Sequence, residues 1–368
     1  MDLSKKKSLL SAMLVSLLVF CFCLTSCGPS AAEMAIRSAP SVEAVKGLKD
    51  KFIWLQGNVQ SGGSYVLEID SDEIVNCGFL SSCFELSYKD KSNVTITLRG
   101  IGENRTIGFV MHSTNGAGKA VYHRGFSVKS GVTLVLDDNI TLKGGTQEFA
   151  FVQVGNGGTL VMNDGSVITG AINNNNDPGV RRIYGGGVIV YNGGTFIMKG
   201  GTISGNTIYP RTLTAQEIQT AKAGYALGRS LVEGGKKAAN AAEEKMNEVA
   251  TPVGGGVYVS GGVVKRENSS PFDSKPAPSG TFIKTGGTIT GYSSDPENGN
   301  VIKDVEGKAL NGFGHAVFFD TPAYSTKDKE PKAIDTTVGP EITLHFSNGI
   351  LREGKTDKSE GATVQADE

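Results

Sequence analysis

A phrase repeats along this chain. Gly194-Thr-Phe-Ile-Met-Lys-Gly-Gly-Thr-Ile-Ser-Gly-Asn206 returns, altered, as Gly280-Thr-Phe-Ile-Lys-Thr-Gly-Gly-Thr-Ile-Thr-Gly291, and Gly158-Thr-Leu-Val-Met-Asn-Asp-Gly-Ser-Val-Ile-Thr-Gly170 precedes both. Each copy joins a short β-branched and apolar run to a glycine corner and a second short run. One such unit cannot bury its own apolar face and must stack on its neighbours, which is the logic of a parallel β-solenoid. The runs from Asn93 onward are too short for amphipathic helices, and 50 glycines with a single Trp suit a corner-rich all-β architecture.

Thr133 and Thr159 lie 26 residues apart, enough for three strands and three turns. Three strand families emerge: one holds Phe151–Val154, Val188–Tyr191, Val257–Val259 and Ala316–Phe319; the second holds the run ending at Met162; the third holds Ile203 and Ile289. Stacked about 4.8 Å apart, they predict five to six coils roughly 25 to 30 Å tall. Where the spacing grows, the extra residues must leave as loops: the polar run Ile172–Gly179, the proline-rich Ser269–Ser279, and an insertion over 212–250. In the insertion, Thr214-Ala-Gln-Glu217 fits a capping box, and Gly234-Gly235 divides two predicted helices. This hairpin either lies against the outside of the stack or protrudes to meet a partner. Residues 46–92, with Phe52-Ile53-Trp54-Leu55, read as the N-terminal cap of a domain over 46–351, and the charged stretch 352–368 reads as a disordered tail.

The N-terminus reads as an export signal over residues 1–26, with Lys5, Lys6 and Lys7 before the apolar stretch Leu9–Leu24. Leu24-Thr25-Ser26-Cys27 resembles the lipobox of bacterial lipoproteins, which implies a lipid on Cys27 and a flexible tether over 27–45. The competing reading, an uncleaved span, needs about 20 apolar residues and meets Gly28-Pro29 at its end. The formal charge is −1 for the whole chain and falls to about −3 without the lysine-bearing leader, which excludes a nucleic-acid binder's balance. Cys77 and Cys83 then remain, either as a disulfide suited to an oxidising compartment or as two buried thiols.

The stretches Val94-Thr-Ile-Thr-Leu-Arg-Gly-Ile-Gly-Glu-Asn-Arg-Thr106 and Gly131-Val-Thr-Leu-Val-Leu-Asp-Asp-Asn-Ile-Thr-Leu-Lys-Gly144, and Gly185-Gly-Gly-Val with the Gly-Gly-Thr strands after it, carry a resemblance to a family. The chain resembles bacterial surface lipoproteins of the right-handed parallel β-helix, pectate-lyase-like superfamily. The resemblance implies that fold and an envelope or surface location, and it implies little about activity.

Polysaccharide lyases and glycoside hydrolases of this fold use paired carboxylates with Arg or Lys or, for hydrolysis, two carboxyls across a cleft. Asp137-Asp138 occupies a turn sequence, where short polar side chains bond the local backbone. Gly314-His315 is followed by Ala316, without a downstream Arg-x-Lys. His112 and His123 have no nearby Cys or paired acids to make a metal site. Leu160 breaks the glycine pattern that calcium rolls require. The glycine triplets at Gly185 and Gly254 lack the Gly-Lys-Ser/Thr of a phosphate loop and read as corners. No catalytic residue, metal or cofactor is expected. The expectation is a lipid-anchored envelope protein that binds a glycan or protein, or serves as a structural surface element, with Gln153, Lys199 and Lys284 as candidate outward groups. The alternative is a lyase or hydrolase with an atypical site.

Overall fold

The computed structural model describes residues 45–77, 82–114, 120–122, 124–174, 182–210, 251–262, 277–321 and 331–355. The leader, Cys27 and its tether, the insertion 212–250, His123 and the tail beyond Lys355 lie outside the described residues.

Most of the described chain is short strands in parallel sheets. Sheet I orders Ser64–Ile69, Val94–Gly100, Val132–Leu136, Thr159–Met162, Thr195–Met198 and Thr281–Lys284, all parallel, and then adds the antiparallel hairpin Ile342–Ser347 and Ile350–Lys355. Sheet II stacks Glu73–Asn76, Arg105–Val110, Ile140–Lys143, Ser166–Thr169, Thr202–Ser204 and Thr288–Ile289. Sheet III stacks Ser82–Leu86, Arg124–Val128, Val152–Val154, Val188–Val190, Val257–Val259 and Val317–Phe319, with the antiparallel Lys332–Ile334 at its end. The chain visits I, II and III in the same rotation on each pass, and the three predicted strand families are these three sheets. The repeated phrase falls in register: Thr133, Thr159, Thr195 and Thr281 are successive partners.

Sequence reading missed a fourth sheet between II and III, formed by Thr146–Gln147, Ile172–Asn173, Thr207–Ile208 and Val301–Ile302. Two-residue strands carry no periodicity to detect, and part of the run read as a loop, Ile172-Asn173, is one of them.

Local chemistry sets the corners. The turn from sheet I to sheet II takes three residues on most passes, and its last residue has positive φ at Asn139, Gly165, Gly201 and Gly287. Glycine or asparagine tolerates that conformation at least cost. At the entry to sheet III, Gly185, Gly254 and Gly314 have φ of 64°, 73° and 77°, as the corner reading of the glycine triplets required.

Alternation sends one face of each strand inward. Leu67, Leu98, Leu136, Met162 and Met198 form one inward ladder, each fully buried. Phenylalanines make another column: Phe52–Phe84, Phe84–Phe126 and Phe109–Phe151 have ring centroids 4.2, 5.1 and 5.0 Å apart. Helix α1 (Leu48–Asn58) closes the N-terminal end with Leu48, Phe52 and Leu55 buried. Its first free N–H, at Leu48, donates to Glu73 Oε2 at 2.8 Å, so the cap is supplied by sheet II rather than by the preceding residue. The cap is mainly this helix. Ser64–Ile69, within the stretch read as cap, already pairs with Val94–Gly100 because its alternation matches.

Two expectations are corrected. Lys284 faces inward, since Thr281 outward places Phe282 inward, Ile283 outward and Lys284 inward; it partners Met198 in the buried ladder. Arg352–Lys355, expected to be disordered, forms strand, because Asn348-Gly349, with φ of 51° and 71°, closes a hairpin back onto Ile342–Ser347.

Candidate ligand-binding face

The outward side of sheet I carries two uncharged rows in register. Ser64, Thr95, Thr133, Thr159, Thr195 and Thr281 form a hydroxyl row. Val66, Thr97, Val135, Val161, Ile197 and Ile283 form a β-branched row beside it. Each of these side chains is part-exposed rather than buried. Threonine and the branched aliphatics favour a pleated surface, and repetition sets like beside like on every pass. Sheet II continues the pattern outward with Thr106, Thr141, Val167, Thr202 and Thr288.

Charges gather at the borders of the face. Arg99 and Glu68 pair at 2.6 Å at the N-terminal end. Asp137 sits at the I–II turn, where Asn163 Nδ2 donates to its Oδ1 at 2.9 Å, and Asp138 is exposed in the same turn. Lys199 is exposed at the equivalent turn two passes later, and Gln153 is part-exposed on sheet III. These groups are spread along the stack and do not converge on one point.

Sheet III presents a different outer side. Its outward row runs Glu85, Ser127, Gln153, Ile189, Tyr258, Phe318. The last three are only 2, 4 and 7 % exposed and join Tyr184, Tyr191 and Phe313 in a cluster of their own. Tyr258 stacks on Phe318 with an interplanar angle of 9° and donates to Asp320 Oδ2 at 2.6 Å. Those rings are engaged, so the open, regular surface is that of sheet I.

The buried polar groups act as structure. Asn300 Oδ1 accepts from the backbone N–H and Nδ2 of Asn206, at 3.1 and 2.8 Å, and Asn300 Nδ2 donates to Ile203 O and Thr290 O. Asn206 Oδ1 accepts the Ala171 N–H at 3.0 Å. Position 171, 206 or 300 of successive passes thus carries the bonds across one corner. His315 is fully buried just before Val317–Phe319. Its Nδ1 accepts the Ile302 N–H at 3.0 Å, which places the proton on Nε2, 3.3 Å from Asn311 Oδ1. Burial lowers its pKa, opposed by Asp335, whose carboxylate accepts the N–H groups of Gly312, Gly314 and His315. An imidazole held neutral by two internal bonds closes a corner. Lys284 Nζ donates to Gly339 O and Ile342 O at 2.7 and 3.0 Å, and burial lowers its pKa to about 8.

Cys77 and Cys83 form a disulfide with Cα atoms 4.6 Å apart. Trp54 is part-buried against the core, edge-on to Tyr65. The side chains of His112 and His123 lie outside the described residues. Among the described residues, no three His, Cys, Asp or Glu side chains cluster as a metal site, and no helix is long and apolar enough to cross a membrane. No protein-family model matches the chain, and no curated protein or solved structure matches it significantly.

Proposed function

We propose that this chain is an exported bacterial envelope lipoprotein, anchored by a lipid on Cys27, whose body is a right-handed parallel β-helix and which acts by binding an extended ligand. The constant rotation through three parallel sheets supports the fold, and the lipobox-like Leu24–Cys27 supports the anchor.

The observation that carries the binding reading is the double row on sheet I. A polymer lying across the strands meets the same side chain about every 4.8 Å, with hydroxyls on one side and methyl groups on the other. An extended glycan, with hydroxyls at its edges and C–H groups on its faces, has the complementary chemistry. Buried lysine, histidine and asparagines are committed to internal bonds, which favours binding over turnover.

The test is a paired substitution, Thr133→Lys with Thr195→Lys, in the leaderless chain. Thr159 keeps these two positions of the hydroxyl row apart, so that the new charges are not direct partners. Outward substitutions of this kind change stability by about 0.5 kcal/mol or less. Retention on glycan-coated surfaces should be lost while the unfolding midpoint stays put. Unchanged retention would remove sheet I from the binding face.

A further inference from the structure

We propose that the sulfur atoms of Cys77, Cys83 and Met111 form a site for Cu(I) once the Cys77–Cys83 bond is reduced. Met111 Sδ lies 3.5 Å from Cys77 Sγ and 3.7 Å from Cys83 Sγ. The stacking of two passes builds this juxtaposition. Cys77 follows the strand Glu73–Asn76, Met111 follows Arg105–Val110 one pass later, and the Cys77 N–H donates to Val110 O at 3.1 Å.

The geometry is close to that of a trigonal three-sulfur centre. Metal–sulfur bonds of about 2.3 Å place the sulfurs about 4 Å apart at the corners of an equilateral triangle. Two edges are already near that length, and only the edge now closed by the disulfide has to open. The donor set selects the metal. Two thiolates and a thioether are soft ligands that suit Cu(I), whereas zinc completes a tetrahedron of nitrogen, sulfur or carboxylate ligands. Among the described residues, no His, Asp or Glu joins the two cysteines to make such a set.

The site has an entrance. Met111 and Cys77 are buried, but Cys83 lines an open groove of about 600 Å³ between helix α1 and the edge strand Ser82–Leu86. Lys49, Arg124 and Lys129 line the same groove together with Glu85, which pairs with Lys129 at 2.9 Å. The lining is positive beyond that pair, and cations near a cysteine favour thiolate over thiol and offset the single negative charge of a bis-thiolate Cu(I) centre. Reduction requires a dithiol. One of its thiolates attacks Cys83 Sγ, and Cys77 leaves as a thiolate; its second thiol then displaces Cys83 and closes the reductant's own disulfide. The reductant supplies two electrons, and Cu(I) later displaces one proton from each cysteine thiol.

The test uses the full chain carrying Cys21→Ser, Cys23→Ser and Cys27→Ser, so that Cys77 and Cys83 are its only cysteines. It is reduced, freed of reductant without oxygen, and titrated with Cu(I) against a chromophoric chelator, with circular dichroism recorded alongside. One Cu(I) should bind per reduced chain and none to the oxidised chain, and X-ray absorption should count three sulfur ligands. Met111→Leu should cut the affinity at least about tenfold, the loss expected even of an outer partner, and lower the sulfur count to two. Failure of the reduced chain to hold Cu(I) against the chelator would overturn the proposal. So would a two-sulfur site in the parent chain, folded or unfolded, or an unchanged affinity in Met111→Leu.

Discussion

Replacing Asn300 by alanine should be one of the more damaging single changes in the described chain. Its side chain is fully buried and makes four hydrogen bonds. The partners do not lose equally. Ile203 O keeps the Thr290 N–H at 3.0 Å, and Thr290 O keeps the backbone N–H of residue 300 at 2.8 Å. Asn206 Nδ2 retains only a long contact of 3.5 Å to Ile168 O. Among the described residues the Asn206 backbone N–H has no other acceptor, and it would be left buried without one. An orphaned buried donor costs about 1–3 kcal/mol, and each of the three further lost bonds about 1 kcal/mol, so the change should cost about 4–6 kcal/mol. The assay is urea unfolding followed by far-ultraviolet circular dichroism at neutral pH. Asn300→Asp should also fail, because it restores acceptors without donors and buries a charge. A loss below about 1 kcal/mol for Asn300→Ala would refute the claim that this corner is held by its asparagine stack.

Three further outcomes are expected. Lys284 has its folded pKa depressed from 10.5 to about 8 by burial, opposed by Glu341. It therefore contributes stability at pH above 10.5 that is lost as pH falls through about 8; a parent-minus-Lys284→Met stability curve flat across that window would contradict this. A Cβ on Gly186 would lie 2.2 Å from Gly255 O, a backbone atom that cannot rotate away, so Gly186→Ala should cost about 1–3 kcal/mol or more in urea unfolding, and a neutral result would mean the triplets stack less closely. Cys27→Ser should abolish incorporation of labelled fatty acid and release the chain from the membrane fraction, and continued labelling would disprove the anchor.

Much of the stack is legible in sequence because one device recurs. A glycine corner after a β-branched run marks both the strand and its register, and the threonines of the repeated phrase are true partners. What escapes reading is what lacks local periodicity. Asn206 and Asn300 are 94 residues apart, and each stands in a Gly-Asn pair that reads as an ordinary turn. The fourth sheet has strands of two residues. Lys284 illustrates the opposite error, in which residue type suggested solvent while strand alternation dictated the interior. The hairpin at Asn348-Gly349 carried a clear turn signal, masked by the charged composition around it. On the outer sides of the sheets, the hydroxyl row of sheet I follows from aligning the repeats, whereas the covered aromatics of sheet III do not, since nothing in Val-Tyr-Val or Val-Phe-Phe tells an open outer side from an occupied one. Met111 beside Cys77 and Cys83 likewise needs two passes to be stacked before the three sulfurs are neighbours.

The central claim is that the chain binds an extended polymer and does not cut it. The most direct measurement exposes the leaderless chain, Cys27 replaced by Ser, to a panel of glycans that includes uronate polymers, and reads binding and depolymerisation together. The account predicts retention on at least one glycan with no release of reducing or unsaturated ends. Release of such ends would contradict it and turn attention to Asp137, Asp138 and the groups around them.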